Sequence, residues 1–536
     1  MAGESPAAGE ALRDALLNSD LRADPRGLTI RAAYITGPTD LADLRLPHGL
    51  RFDSCAFEQP ADWQRLTVAN LRLADCTTPS LALNEAHIDG TLDLDGISTT
   101  TVTAEGAIIG GVLSLFGATL TNEDGVALGL DRIIVKGSAY LNSMTVTGGV
   151  RALMATIGGQ LALEGSTLTN AGGIALWLEE VDIAGIAHLN SVTVTGEVRA
   201  FGATIAGPLA LQGGAKLVNE GGRALSLDRA EIKGGAYLDA ATVTGAIWAA
   251  HATIDGELRL DGATLTNTGR VLNLESARVG RLILTPAAVK GTIALSAAQI
   301  TVLITPWDMR DLIGSELSAP GWRLGDVRGA IRHDRKAAAG WLRRDNFNEE
   351  FVPQPWQELA NVYERNGQPA DARWMRWKAA RGVTRTSPWW SKLTRSVYGL
   401  LVGHGYYPLI AAGWLLLAIV ASGMIVATNE GVFTPTATNK AGWKTPPPTG
   451  QQAPPITGAT PCAELQDRSS CLNPVLYAFD NALPGTLATG QAAQWTANGA
   501  SDWDMWIPYT LGGLKITSWI FVALLLAGVT GLLRKT

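Results

Sequence analysis

The chain contains few residues of the types that carry covalent chemistry or bind metal ions. There are 4 Cys and 6 His in 536 residues, and no two cysteines form a C-x-x-C pair. The histidines are scattered, and neither a P-loop nor an H-E-x-x-H zinc motif is present. A dinucleotide-binding fingerprint requires a helix directly after its glycines, and no predicted helix follows the repeated glycine pairs of this chain. We therefore predict no catalytic residues, no metal ligands and no cofactor, which favours a non-enzymatic role.

The four cysteines form two pairs with different expected environments. Cys55 and Cys76 are 21 positions apart in a region predicted to be cytosolic, where thiols stay reduced. They could form a redox pair, but we favour small buried residues, because free Cys packs well in protein interiors. Cys462 and Cys471 are separated by eight residues in a segment predicted to be extracellular, and we predict a disulfide between them.

A cluster of basic residues precedes the first strongly apolar segment. Tryptophans are interleaved with these cations, and no acidic residue lies among them. Such a segment can bind anionic lipid headgroups, or it can act only as a signal that fixes membrane topology. The predicted juxtamembrane residues are Arg373, Arg376, Lys378, Arg381, Arg385, Lys392 and Arg395.

Two apolar segments near the C-terminus predict membrane-spanning helices. Residues 407–428 contain no charged residue, and residues 516–533 are flanked by Lys515, Arg534 and Lys535. The alternative is that both are buried helices of a large soluble domain. No secretion signal is recognisable in residues 1–24, and acidic residues outnumber basic ones in 429–509. The positive-inside rule then predicts a membrane protein with cytoplasmic termini and an extracellular loop at 429–509.

The composition excludes several classes of protein. Hydrophobic residues make up 46% and charged residues 17%, which excludes a disordered chain. Four cysteines are too few for a disulfide scaffold, and the 60 glycines do not recur at every third position as in collagen. A net charge of −6 gives no support to nucleic-acid binding.

An internal repeat indicates the fold. G-[AS]-T-L-T-N occurs at residues 117–122, 165–170 and 262–267, with a looser copy at 214–219 and T-V-T-G segments in between. Each period of about 48 residues contains two similar halves, and aliphatic residues begin the halves at steps of 21 to 27. This pattern favours a right-handed β-solenoid of about ten coils over a β-propeller. The aliphatic starts are Ile88, Ile109, Val135, Ile157, Ile183, Ile205, Ile232, Ile254 and Val279.

Several segments resemble a known family. Residues 50–76 are similar to pentapeptide-repeat proteins, with small residues beside a central Leu or Phe. The I-G-G-Q-L-A-L-E-G-S-T-L-T-N unit, and the segments 351–373 and 473–484, resemble actinobacterial membrane proteins often labelled pentapeptide-repeat or membrane-associated oxidoreductase proteins. The resemblance covers nearly the whole chain and implies an oxidoreductase activity, which no residue pattern in the chain supports.

Helical patterns follow the repeat. Leu359, Val362 and Tyr363 lie on one face of a predicted helix that stops at Gly367, and a second helix is predicted from about residue 369 to 380. This hairpin could bind a peptide, but we favour a role as a cap on the solenoid. Within 429–509, a short amphipathic helix is predicted with Leu476, Phe479 and Leu483 aligned.

The sequence therefore predicts a mainly β protein that scaffolds a cytosolic protein partner, or associates with itself, at the inner membrane. The alternatives are a membrane oxidoreductase, which rests on the family label, and an oligomeric two-helix channel or sensor. The predicted segments are an N-terminal cap (1–25), the solenoid (26–303), a helical linker with the basic stem (304–400), spanning helices at 401–428 and 510–533 around the loop 429–509, and a tail (534–536).

Overall fold

A computed structural model of the chain describes residues 8–17, 27–312, 315–344, 351–436, 472–483, 490–497 and 505–530. The chain divides into two compact units, residues 1–375 and 376–536, and each is described by itself. The predicted disulfide residues Cys462 and Cys471 lie outside the described residues.

The first unit is a parallel β-solenoid of about 14 turns. The first turns have four short strands each, and the later turns merge two of these strands into one longer strand. One sheet contains Leu28–Arg31, Arg45–Leu46, Leu50–Asp53, Thr67–Val68, Leu71–Ala74, His87–Ile88, Leu92–Asp93, Ile108–Ile109, Leu113–Ser114, Ile134–Val135, Ala139–Tyr140, Thr156–Ile157, Leu161–Ala162, Asp182–Ile183, Ala187–His188, Thr204–Ile205, Leu209–Ala210, Glu231–Ile232, Ala236–Tyr237, Thr253–Arg259, Arg278–Ile283, Gln299–Ile304 and Arg323–Arg328. A second sheet contains Thr39–Asp40, Ala61–Asp62, Ser80–Ala82, Ser98–Thr99, Thr101–Thr103, Thr119–Gly129, Thr145–Arg151, Thr167–Trp177, Thr193–Arg199, Lys216–Ser226, Thr242–Trp248, Thr264–Asn273, Ala288–Ala294 and Ser315–Ser318, while Tyr34–Ile35 pairs with Ala56–Phe57.

The predicted aliphatic column is confirmed. Ile109 pairs with Val135, and the register continues without a break through the other predicted starts to Val279. All of these side chains are buried, so each turn adds one aliphatic residue to a continuous core.

The solenoid is longer than the predicted ten coils. Pairing continues beyond Leu303, because Ile300 pairs with Leu324 in the strand Arg323–Arg328. The last turns lack the Gly and Thr signature that marks the repeat, although they retain buried residues at the same register, including the fully buried Trp322. A coil is defined by its buried positions and not by the repeated motif, so the solenoid continues after the motif has stopped.

Alternate turns carry an excursion that begins at the Asn of the T-L-T-N motif. The Asn170 side-chain amide donates to the Ile174 carbonyl at 2.8 Å, and this bond closes the excursion. In the next turn, Gly196 has a φ of 120°, and a Cβ there would lie 2.5 Å from the Asn170 carbonyl oxygen. The T-L-T-N and T-V-T-G motifs are therefore two halves of one packing arrangement, which explains the 48-residue period. Asn122 and Asn219 make the same bond and Asn267 donates to the carbonyl three residues on, with Gly148, Gly245 and Gly291 opposite them.

Helix α1 (Ala8–Leu17) lies against the first turn. The Gly9 amide donates to the Thr36 carbonyl at 2.9 Å, and the Arg13 guanidinium donates to the Asp40 and Ala42 carbonyls. Three further helices follow the last strand, α2 (Ala330–His333), α3 (Arg335–Leu342) and α4 (Gln354–Arg365).

Helix α4 covers the exposed backbone of the last turn. Glu358 accepts a hydrogen bond from the Leu324 amide at 3.1 Å, and Gln354 accepts one from the Gly321 amide at 2.8 Å. Arg365 donates to the Leu324 carbonyl at 2.6 Å, and the Tyr363 hydroxyl donates to the Ile331 carbonyl. These contacts confirm the prediction of a capping role, because an uncovered strand edge would otherwise be free to pair with another chain.

Helix α5 (Pro369–Thr386) runs across the boundary between the two units. The second unit continues with α6 (Trp389–Val402), α7 (Leu409–Thr428), α8 (Pro474–Ala482), α9 (Gln491–Gln494) and α10 (Trp506–Val529). The strands Phe433–Pro435 and Trp495–Ala497 pair antiparallel. Helices α7 and α10 are long and apolar enough to cross a membrane.

Candidate membrane-contact site

The seven predicted basic residues lie on two consecutive helices. Five are on α5, and Lys392 and Arg395 are on α6. Arg373 belongs to the first unit and the others belong to the second unit. The predicted basic stem is therefore helical through most of its length.

Two basic side chains of α5 lie over the ring of Trp377. The Arg381 guanidinium lies 4.8 Å from the centre of the Trp377 ring, and the Lys378 ammonium lies 5.2 Å from it. The Tyr407 ring meets Trp377 edge to face, with 6.0 Å between centroids. Cation–π attraction limits the motion of both basic side chains, so the positive charge is held in one place beside the start of α7.

A sharp turn joins α6 to α7. Gly403, His404 and Gly405 all have φ between 58° and 86°, the left-handed region. The His404 ring lies against Gly399, where a Cβ would be 2.5 Å from Nε2. Burial lowers the pKa of His404, and the charges of Arg381 and Arg395 lower it further. Burial and the two guanidinium groups thus both disfavour the protonated imidazole.

Helix α6 exposes a continuous apolar stripe. Trp389, Leu393, Val397 and Leu400 follow one another at helical spacing, and Trp389 is 80% exposed. Lys392 and Arg395 lie on the same helix. The Trp414 indole of α7 donates to the Leu400 carbonyl at 3.0 Å, which ties the end of α6 to α7. A basic amphipathic helix beside a spanning helix can lie in the membrane interface, with its apolar face in the acyl region.

Cys55 and Cys76 lie next to each other inside the solenoid. The Cys55 amide donates to Cys76 Sγ at 3.4 Å, and both residues are free and buried. Burial raises the pKa of Cys76 to about 11, so the reactive thiolate is scarce at neutral pH. This environment fits the structural interpretation of the pair.

Among the described residues, no group of three or more His, Cys, Asp or Glu is arranged to hold a metal ion. His188 lies in the strand Ala187–His188, and His251 lies in a turn with φ of 58°.

The solenoid surface carries ion pairs and cation–π contacts between successive turns, which the sequence analysis did not predict. Arg151 contacts Glu105 and Asp131, and the Arg223 guanidinium lies 4.4 Å from the Trp248 ring. These groups meet because the turns stack in register, so the paired residues are 20 or more positions apart in sequence. The recurring V-R segments at 150–151 and 198–199 are the feature of the sequence that could have indicated these contacts.

Comparison with protein family models, with curated proteins and with solved structures found no match for this chain. The family resemblance therefore stays a prediction from the sequence.

Proposed function

We propose that this protein is a membrane-anchored scaffold that presents its solenoid to a protein partner in the bacterial cytoplasm. In this proposal, the solenoid is right-handed and pentapeptide-repeat-like, α7 and α10 cross the plasma membrane, and residues 429–509 face the exterior. The basic residues of α5 and α6 bind anionic lipid headgroups, each cation contributing about 1 kcal/mol.

The observation that carries the proposal is the row of four excursions on alternate turns. Each excursion is closed by a side-chain hydrogen bond from its Asn, to the carbonyl four residues on for Asn122, Asn170 and Asn219 and three residues on for Asn267. With strands about 4.8 Å apart, excursions on alternate turns repeat every ~10 Å. A row of similar loops at a fixed spacing suits a partner that binds several of them at once, because each further contact is then intramolecular.

Oxidoreductase activity has no support from the contacts of the described residues. The adjacent thiols of Cys55 and Cys76 are the nearest approach to redox chemistry, and burial holds Cys76 in its unreactive form.

Site-specific photocrosslinking in native membranes tests the scaffold proposal. A photoreactive amino acid replaces Ala171 or Glu220, both exposed in excursions, and the matched controls replace Thr156 or Asp182, exposed on another face. The proposal predicts one common adduct from both excursion positions and none from the controls. Equal adducts from both faces, no adduct at all, or a flavin, haem or nicotinamide spectrum of the purified protein would refute it.

A further inference from the structure

Helix α8 has an inverted distribution of polar and apolar residues. Asp480 and Asn481 are buried, each only 6% exposed, whereas Val475 is 61% and Phe479 is 42% exposed. A surface helix in water does the opposite, because apolar surface is favoured inside and polar surface outside. The inversion is expected of a helix whose surroundings are hydrocarbon.

The buried polar groups of α8 bind neighbouring helices, and Asn481 binds both candidate spanning helices. The Asn481 side-chain amide donates to the Leu511 carbonyl of α10 at 3.1 Å and to the Ser422 hydroxyl of α7 at 3.4 Å. Asp480 accepts a hydrogen bond from the Ala492 amide at 3.2 Å. Polar side chains in a membrane protein are placed in this way, against neighbouring helices and away from lipid.

The position of Ser422 indicates the depth of α8. Helix α7 has 20 residues, which at 1.5 Å per residue matches a hydrocarbon core of about 30 Å. Ser422 lies six residues before the end of α7 at Thr428, so Asn481 reaches ~9 Å below that end. The C-terminal end of α8 is therefore within the hydrocarbon if α7 spans it.

The residues that precede and follow α8 lie close to each other. The Asn473 amide, just before α8, donates to the Gln491 side-chain oxygen at 3.3 Å, after the chain has returned. Phe433, shortly after α7, pairs with Ala497 in the antiparallel hairpin. Both ends of the segment 473–491 therefore lie at the α7 C-terminal end, and α8 does not cross to the other side.

We propose that α8 is a re-entrant helix whose Val475, Leu476 and Phe479 side chains contact lipid acyl chains, while Asn481 fixes it to the two spanning helices and Asp480 fixes it to α9. Part of the segment that the sequence places in an external aqueous loop is thus inserted in the bilayer. The inference does not depend on the scaffold role of the solenoid.

Spin labelling of the full-length protein in phosphatidylglycerol–phosphatidylethanolamine liposomes tests the proposal. A nitroxide is attached to Phe479→Cys or Val475→Cys, with Thr496→Cys, the exposed position of the strand Trp495–Ala497, as the control. Cys462 and Cys471 are replaced by Ser, and the buried Cys55 and Cys76 are checked for absence of label. Accessibility to dissolved oxygen, which concentrates in hydrocarbon, is compared with accessibility to a water-soluble nickel chelate.

We expect the oxygen-to-nickel accessibility ratio to be several-fold higher at positions 479 and 475 than at 496. A higher nickel accessibility at 479 would overturn the proposal and indicate an aqueous cavity, as the channel alternative requires. Protection from both reagents, with spin–spin broadening, would also overturn it and indicate a second copy of the chain on this face. Position 475 provides the same test if the substitution at 479 prevents folding.

Discussion

At the scale of single residues, the surroundings of a side chain determine its chemistry more than its type does. Cys76 is a potential nucleophile by type, yet its burial among solenoid side chains raises its pKa to about 11. The pKa of His404 is similarly lowered by burial and by the charges of Arg381 and Arg395. Neither environment resembles an activated catalytic group, and both fit structural roles at the positions where the residues occur.

We expect Cys55 and Cys76 to react very slowly with maleimide at pH 7.5 in the folded protein. Both thiols are buried, and the pKa of Cys76 near 11 leaves little thiolate. Mass spectrometry after timed labelling measures the reaction, and labelling in guanidinium chloride provides the fully reactive control. Rapid labelling of the native protein, or isolation of a Cys55–Cys76 disulfide, would show that the pair is redox-active.

Glu257 should make the stability of the solenoid depend on pH. Its hydrogen bond with Arg259, together with one from Arg281, holds its pKa below the ordinary value of 4.5 although burial opposes this. The unfolded chain therefore takes up the proton first, so this stabilisation is present above pH 4.5 and is lost as the pH falls below it.

Thermal unfolding of the detergent-solubilised protein between pH 7 and 3.5 measures this effect. Glu257→Gln should lower the unfolding temperature at pH 7 and reduce its decline in acid. Glu231→Gln, at an exposed position in the same sheet, is the matched control. An unchanged pH dependence in Glu257→Gln would contradict the assignment.

At the scale of elements, the repeat alternates two kinds of turn, one with the excursion and one without it. An excursion closed by Asn170 in one turn requires Gly196 in the next, because the Asn170 carbonyl occupies the space of a Cβ. This requirement connects residues 26 positions apart through a backbone contact. The sequence showed both motifs but not their contact.

Gly196→Ala should destabilise the solenoid by about 2 kcal/mol or more, since it combines a strained backbone angle with a clash. Gly269→Ala is the control, because its Cβ would meet nothing within 4 Å and its backbone is not in the left-handed region. We expect that control to be neutral within about 0.5 kcal/mol. Chemical denaturation followed by circular dichroism compares the two, and equal effects would disprove the interlocking of the motifs.

The sequence allowed the solenoid core to be predicted residue by residue, but not the orientation of α8. The column from Ile88 to Val279 was predictable because a parallel solenoid repeats the same burial at each turn. The helical period of α8 was also predictable, but the exposed Phe479 and buried Asp480 were not. Periodicity defines two faces of a helix, whereas the surrounding solvent decides which face is buried.

At the scale of the whole molecule, the chain combines a rigid repeat with a hydrophobic helical unit. Helix α1 contacts the first turn of the solenoid, and α4 binds the backbone of the last turn. Helices α7 and α10 supply the length and apolar character needed to cross a bilayer. The proposed scaffold role requires both of these parts.

Sidedness is the direct test of this membrane-anchored account. A membrane-impermeant maleimide is applied to Glu220→Cys, with Cys462 and Cys471 replaced by Ser, in intact spheroplasts and in inside-out vesicles; an alkaline carbonate wash tests membrane integration. The account predicts labelling only in inside-out vesicles and a chain that resists extraction. Labelling in intact spheroplasts, or release of the chain by carbonate, would contradict it.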